Sequence, residues 1–314
     1  MSWTGRAAML GTALALLTPA ALRAQGIPLD SARPEPAHAT GPLWALDAFS
    51  ASGYDSNIDG DPDGEALVSG AVGLRGLFRS DADDPLLEVS YEIALNRATP
   101  QPRWNRVSHA MYAELKPHLH GAWRLRTLAE VSLLGSSEDH DLSNRYAIRQ
   151  RVEYRFARWL ALRAEGELRK QYDVEDPESD ALNRSLRLST VTRMGHGRRL
   201  TLMARQEFNH AVTDENHYTR RGYTAELETI AFGSDTVVAG FEAQWKRFPN
   251  RLVELDDGDV ERVDRRLKPA LTWLHPLGDD IWVGIGYELE ERTSNKPGKR
   301  YVAHSVLLTL TRRW

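Results

Sequence analysis

The sequence predicts an all-β protein, a transmembrane antiparallel up-and-down β-barrel of about fourteen strands. Three observations carry this reading. From Leu43 onward, apolar residues recur at every second position in one segment after another, the period of a strand with one apolar and one polar face. The connectors between segments alternate between short and longer, as they do when one membrane surface carries tight turns and the other carries loops. Aromatic residues gather at the two ends of the segments, which would form a girdle at each membrane interface.

The N-terminus comes before that pattern. Arg6 supplies a positive charge, and Ala7 to Leu17 is an apolar run too short to cross a membrane as a helix. Leu22-Arg23-Ala24, ahead of Gln25, has the small residue of a cleavage site. Residues 1–24 therefore read as a secretory signal peptide. Residues 25–42 read as a linker, because Pro28, Pro34, Pro36 and Pro42 prevent regular structure. Residues 43–314 are the expected barrel.

The fourteen segments begin near Leu43, Glu65, Leu86, Asn105, Ala122, Asn144, Trp159, Leu182, Arg199, Arg221, Val237, Arg262, Ile281 and Arg300. The clearest is the third, with Leu87, Val89, Tyr91, Ile93 and Leu95 on one face and Glu88, Ser90, Glu92 and Asn96 on the other. Ile281 to Glu290 and Val237 to Lys246 repeat the alternation. The longer connectors are expected at Tyr54 to Gly64, Ala98 to Trp104, Ser136 to Ser143, Asp173 to Ala181, Ala211 to Arg220, Pro249 to Glu261 and Thr293 to Lys299. Trp44, Phe78, Trp123, Phe156, Phe232, Trp273 and Trp314 mark the short-turn girdle. Tyr54, Trp104, Tyr172, Phe208, Trp245 and Tyr301 mark the long-loop girdle.

Composition agrees with this. The chain has no cysteine and a formal charge of −4, and its mean hydropathy is −0.48. A hydrophilic average does not exclude a membrane barrel, whose apolar residues occupy only alternate strand positions. No run after residue 24 approaches the ~20 apolar residues of a spanning helix, so any crossing falls to strands. A few polar residues face outward in this scheme. His109 and Gln150 lie near mid-strand, while Arg184 and Arg265 lie nearer the loop side, within reach of lipid phosphates.

The last segment alternates Val306, Leu308 and Leu310 and ends on Trp314. It resembles the C-terminal assembly signal of bacterial outer-membrane β-barrels and departs from it at Arg312. The resemblance implies an outer-membrane location, the barrel assembly machinery as folding partner, and lipid and lipopolysaccharide as surroundings. Ser52-Gly53-Tyr54-Asp55-Ser56-Asn57 is similar to the opening of porin-like outer-membrane families. It is also similar to the barrel half of surface lipoprotein assembly modifiers. The first resemblance implies a passive channel. The second implies an export or assembly barrel working with a periplasmic partner. Residues 25–42 are too few for the helical repeats of such a partner domain, which need several units of about 34 residues.

The inward face is heavily charged. Alternation turns Arg124, Arg126, Arg145, Arg149, Arg151, Arg155, Arg163, Arg169, Arg187 and Arg193 inward on the fifth to eighth segments, with Glu130, Glu153, Glu165 and Glu167 among them. Acids gather elsewhere: Glu88, Glu92 and Glu114, then Glu226, Glu228 and Glu242, then Glu288 and Glu290. In a closed circle of fourteen, the sixth segment stands opposite the thirteenth, so a basic wall is expected to face an acidic one. Walls of charge are how pores select, and the expectation is a channel for small polar or anionic solutes. The alternative is a structural barrel whose lumen is closed by pairs such as Arg149 with Glu130 or Glu167.

Little else in the chain suggests chemistry. Asp59-Gly60-Asp61-Pro62-Asp63-Gly64 resembles the opening of a calcium-binding loop, but Gly70 stands where the bidentate acid belongs. Asp59, Asp61 and Asp63 are thus at most a weak calcium site. Acidic loops that include Glu138, Asp139, Glu175 and Asp257 offer divalent cations a bridge to lipopolysaccharide, although Asp, Gly and Pro are also ordinary turn residues. No cofactor motif is present. Barrel phospholipases and deacylases use a His and a Ser two apart on one face. Here His109 is followed by Met111 and His304 by Val306, while Ser108 and Ser305 point to the opposite face. No enzymatic activity is expected. Bases interleaved with acids inside a barrel do not suit nucleic acid.

Overall fold

The computed structural model describes residues 42–57, 66–81, 85–99, 105–117, 119, 121–136, 143–173, 180–195, 197–231, 234–255, 258–278 and 280–314. The expected signal peptide, most of the expected linker, Asp59, Asp61, Asp63, Trp104, Phe232, Glu138, Asp139, Glu175 and Asp257 lie outside the described residues.

Fourteen strands follow in order: β1 (Leu43–Asp55), β2 (Leu67–Arg79), β3 (Leu87–Thr99), β4 (Arg106–Leu115), β5 (Trp123–Ser136), β6 (Ser143–Ala157), β7 (Leu160–Asp173), β8 (Ala181–Met194), β9 (Arg198–Ala211), β10 (Tyr218–Ala231), β11 (Asp235–Leu255), β12 (Gly258–Pro276), β13 (Ile281–Ser294) and β14 (Tyr301–Arg313). Each pairs antiparallel with its sequence neighbours, and β1 closes the ring against β14. The seam runs from Asp47 opposite Arg313 to Asp55 opposite Ser305. At its end the Trp314 amide donates to the Leu46 carbonyl at 2.9 Å, and Leu46 donates back at 3.3 Å. Closure satisfies every ladder and leaves no edge, the condition for strands to cross lipid.

The distribution of side chains is inverted relative to a soluble protein. Leucines and aromatics along one face of every strand are exposed, among them Leu74, Leu95, Leu168, Leu186 and Leu271. Charged residues such as Glu92, Glu167, Arg187 and Asp264 are buried on the other. An apolar outside around a polar inside is the signature of a membrane-spanning barrel. Among the described residues, aromatic contacts form at both ends of the strands. Trp44 packs on Phe78 with ring centroids 4.6 Å apart, and Tyr154 packs on both Trp123 and Phe156 at 4.7 Å. On the loop side Tyr172 meets Tyr146 at 5.9 Å and Trp245 meets Tyr223 at 5.9 Å.

Two expectations are corrected. Tyr301 does not belong to the outer girdle. It faces inward, and its hydroxyl donates to Glu290 at 2.6 Å. The stretch Pro249 to Glu261 is mostly strand rather than loop, because β11 runs for 21 residues and β12 for 19. A register shift between Phe248 and Leu252 absorbs Pro249. Proline has no N–H for the ladder, so a bulge is where a strand tolerates it. Gly258 (φ 114°) then turns the chain back at the tip of this hairpin, a backbone conformation that glycine adopts without strain.

The outward polar residues near mid-strand, His109 and Gln150, are satisfied by neighbours. Tyr91 Oη and His109 Nδ1 share a hydrogen bond of 2.7 Å, and Tyr287 with His304 repeats the arrangement at 2.8 Å. Thr127 donates to Gln150 at 2.8 Å, while the Gln150 amide donates to the Arg126 carbonyl at 3.3 Å. Pairing removes most of the cost of placing polar groups against hydrocarbon.

Inside the barrel, Phe49 lies across Gly73, its register partner on β2, against Ala71 and Ala94. A Cβ at Gly73 would sit 2.6 Å from Phe49 Cε2 and 2.7 Å from the Ile93 carbonyl. Only glycine leaves room for the ring here.

Candidate functional site: the charged inner wall

Strand register brings opposite charges face to face. Arg149 and Arg151 on β6 stand opposite Glu167 and Glu165 on β7, and Glu153 stands opposite Arg163. Glu165 in turn stands opposite Arg187 on β8, and Arg75 on β2 stands opposite Glu92 on β3. Directly opposed side chains on one face are close enough to pair, and these do. Arg149 donates to Glu167 at 2.6 Å and to Glu130 at 3.2 Å. Arg151 donates to Glu165 at 2.7 Å. Arg187 reaches Glu167 at 2.8 Å and also bonds Glu165. Near the short-turn end, Glu153 accepts from both Arg155 and Arg163 at 2.6 Å.

The chain of pairs extends to β9 and β10. Arg169 sits 3.5 Å from Glu167 and 3.7 Å from Glu207. Glu207 also accepts from Arg205, from Arg220 and from the Tyr218 hydroxyl at 2.9 Å. Its side chain is 0% exposed, so three guanidinium groups and a phenol enclose it completely. A second set covers β2 to β5. Arg75 holds Glu92 at 2.8 Å, Arg79 holds Glu88 at 3.1 Å, and Lys116 lies between Glu114 and Glu88. A third spans β9 and β10, where Arg199 holds Glu228 at 2.6 Å with Glu226 at 3.8 Å. A fourth spans β11 to β14. Lys268 holds Glu288 at 2.6 Å and Glu290 at 3.3 Å, and Arg266 lies 3.6 Å from Glu290.

All the arginines expected on the basic wall face inward: Arg124, Arg126, Arg145, Arg149, Arg151, Arg155, Arg163, Arg169 and Arg187. Glu88, Glu92, Glu226, Glu228, Glu288 and Glu290 do so as well. The acids opposite the basic wall are not bare, however. Lys268 and Arg266 hold Glu288 and Glu290 from the adjacent strand. On the short-turn side of these acids the inward positions of β11 to β14 include the small residues Gly240, Ala270, Thr272, Gly284, Gly286 and Thr309, with Leu274, Trp282 and Leu307 packed among them. The wall itself stays base-rich. Among the described side chains of β5 to β9 the inward bases are Arg124, Arg126, Arg145, Arg149, Arg151, Arg155, Arg163, Arg169, Arg187, Arg193, Arg199 and Arg205, twelve against the five acids Glu130, Glu153, Glu165, Glu167 and Glu207. The Arg126, Arg149 and Arg155 side chains remain 29%, 29% and 30% accessible.

The sequence reading missed the hub of Arg205, Glu207 and Arg220. The signal was present, since these residues fall on the inward positions of β9 and β10. The four-fold convergence on Glu207 depends on the register between strands, which alternation within one strand does not reveal.

No protein-family model matches the chain, and no curated protein matches it in sequence. Among solved structures, the outer membrane channel DcaP of Acinetobacter baumannii is similar over 87% of this chain and 98% of its own, with a TM-score of 0.51 and 12% identity. A bacterial polysaccharide outer membrane secretin is similar over 87% of this chain and 98% of its own, at TM-score 0.48 and 11% identity. OprD of Pseudomonas aeruginosa is similar over 86% of this chain and 95% of its own, at TM-score 0.44 and 10% identity. At 12% identity the likeness to DcaP concerns architecture alone, and the architecture is a closed antiparallel β-barrel.

Proposed function

We propose that this barrel is a passive, porin-like channel that admits small polar solutes and favours anions. The observation that carries the reading is the excess of bases over acids on the β5–β9 wall, with guanidinium groups still accessible from the lumen. Arginine donates in a planar fork that matches carboxylate and phosphate oxygens.

A second reading has its own support. Full enclosure of Glu207 by arginines suits a lumen closed by its own ion pairs. Catalysis has no comparable support. The imidazoles of His109 and His304 lie on the lipid face, bonded to tyrosines, and Ser305 lies inside, donating to Asp55 at 2.9 Å.

The test is single-channel conductance of the refolded protein in a planar bilayer, after a heat-modifiable gel shift has verified folding. Stable ohmic steps, with a reversal potential of anion sign in a KCl gradient, are expected. Folded protein that stays silent overturns the channel reading. It would favour the closed barrel and direct attention to periplasmic partners.

A further inference from the structure

The lipid-facing surface carries a basic band on one side of the barrel. Lys170, Arg184 and Arg221 are each the fourth residue from the loop-side end of β7, β8 and β10. Phe208 holds the same place on β9. These four outward side chains therefore share one level, about 10 Å along the strand below its loop-side end. The band continues by register, with Arg221 opposite Trp245 on β11 and Trp245 opposite Arg265 on β12. Arg184, Phe208, Arg221, Trp245 and Arg265 are all exposed.

Among the described residues, the cations of this band have no counter-ions. Among the described residues, Arg184 and Arg265 make no ion pair or hydrogen bond. Arg221 donates to the neutral amide of Gln206 at 3.1 Å, and Lys170 lies over the Tyr172 ring at 4.9 Å. No outward position described on β7 to β10 holds Asp or Glu. On β11 to β13 the described outward acids are Asp235 at the short-turn end, Glu254, Asp259 and Glu261 at the loop-side tip, the last engaged by Arg247, and Glu291. Below the band the surface is apolar, with Leu168, Leu186, Leu227 and Leu267 exposed.

An arginine facing lipid costs up to about 2–4 kcal/mol at mid-membrane and little near the interface. Several at one interfacial level, without acids, require an anionic partner in the surrounding leaflet. Arg184 stands opposite Phe208 and Phe208 opposite Thr219, so Arg221 lies two strands over and two residues along, about 12 Å from Arg184, within joint reach of the phosphates on one headgroup. Arginine binds phosphate oxygens in pairs, and Phe208 and Trp245 sit between the cations as flat apolar surfaces. We propose that the outer face of β7 to β12 is a binding site for the phosphate groups of lipopolysaccharide, whose acyl chains lie along the leucines below. This site is independent of whether the lumen conducts.

Native mass spectrometry of the full chain in detergent tests this with bisphosphorylated lipid A and its dephosphorylated form as probes. The wild type should retain the phosphorylated lipid and hold the dephosphorylated one weakly. The variant R184Q/R221Q/R265Q should lose retention of the phosphorylated lipid by about tenfold or more. R97Q, which alters an exposed outward arginine on β3 outside the band, should behave as wild type. A heat-modifiable gel shift verifies folding. If the triple variant does not fold, R184Q alone should show a loss of about threefold. Equal retention of both lipids by the wild type overturns the proposal. So does equal retention of phosphorylated lipid A by the wild type and the band variant, or an equal loss in R97Q.

Discussion

Arg149 donates its Nε to Glu167 at 2.6 Å across the β6–β7 pair, yet 29% of its side chain stays open to the lumen. The pairing fixes the guanidinium in place, and the open fraction leaves it able to act on a passing ion. Neutralising this part of the wall in R149Q/R151Q removes two positive charges while Arg187 still holds Glu165 and Glu167. The reversal potential of the refolded variant in a KCl gradient should shift toward the cation value. An unchanged potential would mean that the wall is electrically silent to permeant ions.

Glu207 is the most enclosed carboxylate of the network, bonded to Arg205, Arg220 and Tyr218. E207Q leaves those cations buried and mutually repelling. Removing one partner of a buried ion pair costs about 3–5 kcal/mol. The free energy of urea unfolding from lipid vesicles should fall by that order. The double variant R205Q/E207Q, which removes one cation along with the acid, should recover part of the loss. A loss below ~1 kcal/mol for E207Q would indicate a surface-like, weakly coupled site.

Gly73 and Gly76 provide a matched pair on β2. A Cβ at Gly73 meets Phe49 and the Ile93 carbonyl, whereas one at Gly76 meets nothing within 4 Å. G73A should cost about 1–3 kcal/mol through overpacking, and G76A should stay within about 0.5 kcal/mol of wild type. Equal effects in vesicle unfolding would show that Phe49 swings away without penalty.

How much of this was legible in the sequence follows from what a period of two encodes. It assigns each side chain to a face, so the fourteen strands, the girdles at Trp44, Trp123 and Trp245, and the inward arginines were all readable. It does not name the partner across the ladder. The pairing of Lys268 with Glu288 and the convergence on Glu207 therefore emerged only with the register. The bulge at Pro249 was unreadable for a related reason. Proline signals a break, and only the resumed pairing of Leu252 with Glu261 distinguishes a bulge from a loop. Tyr301 was misplaced because its position at the strand end was taken for a girdle position, although alternation puts it on the inward face with Ala303 and Ser305. Its face is fixed by its bond to Glu290.

Tyr91 and His109 form a polar pair on the lipid face, and Tyr287 and His304 repeat it with the same diagonal offset on β13 and β14. Such a pair is stable only as a unit, because hydrocarbon offers no substitute partner to a lone phenol or imidazole. Y91F leaves the His109 ring nitrogen unpaired, and H109L leaves the Tyr91 hydroxyl unpaired. Each should cost about 1–3 kcal/mol. Y91F/H109L removes both polar groups and should return close to wild type, since replacing both partners by apolar groups is nearly neutral. The double-mutant cycle in vesicle unfolding should therefore give a coupling of order 1 kcal/mol. Additive losses would mean that interfacial water reaches both groups, which would place this level of the barrel nearer the headgroups than the exposed leucines around it imply.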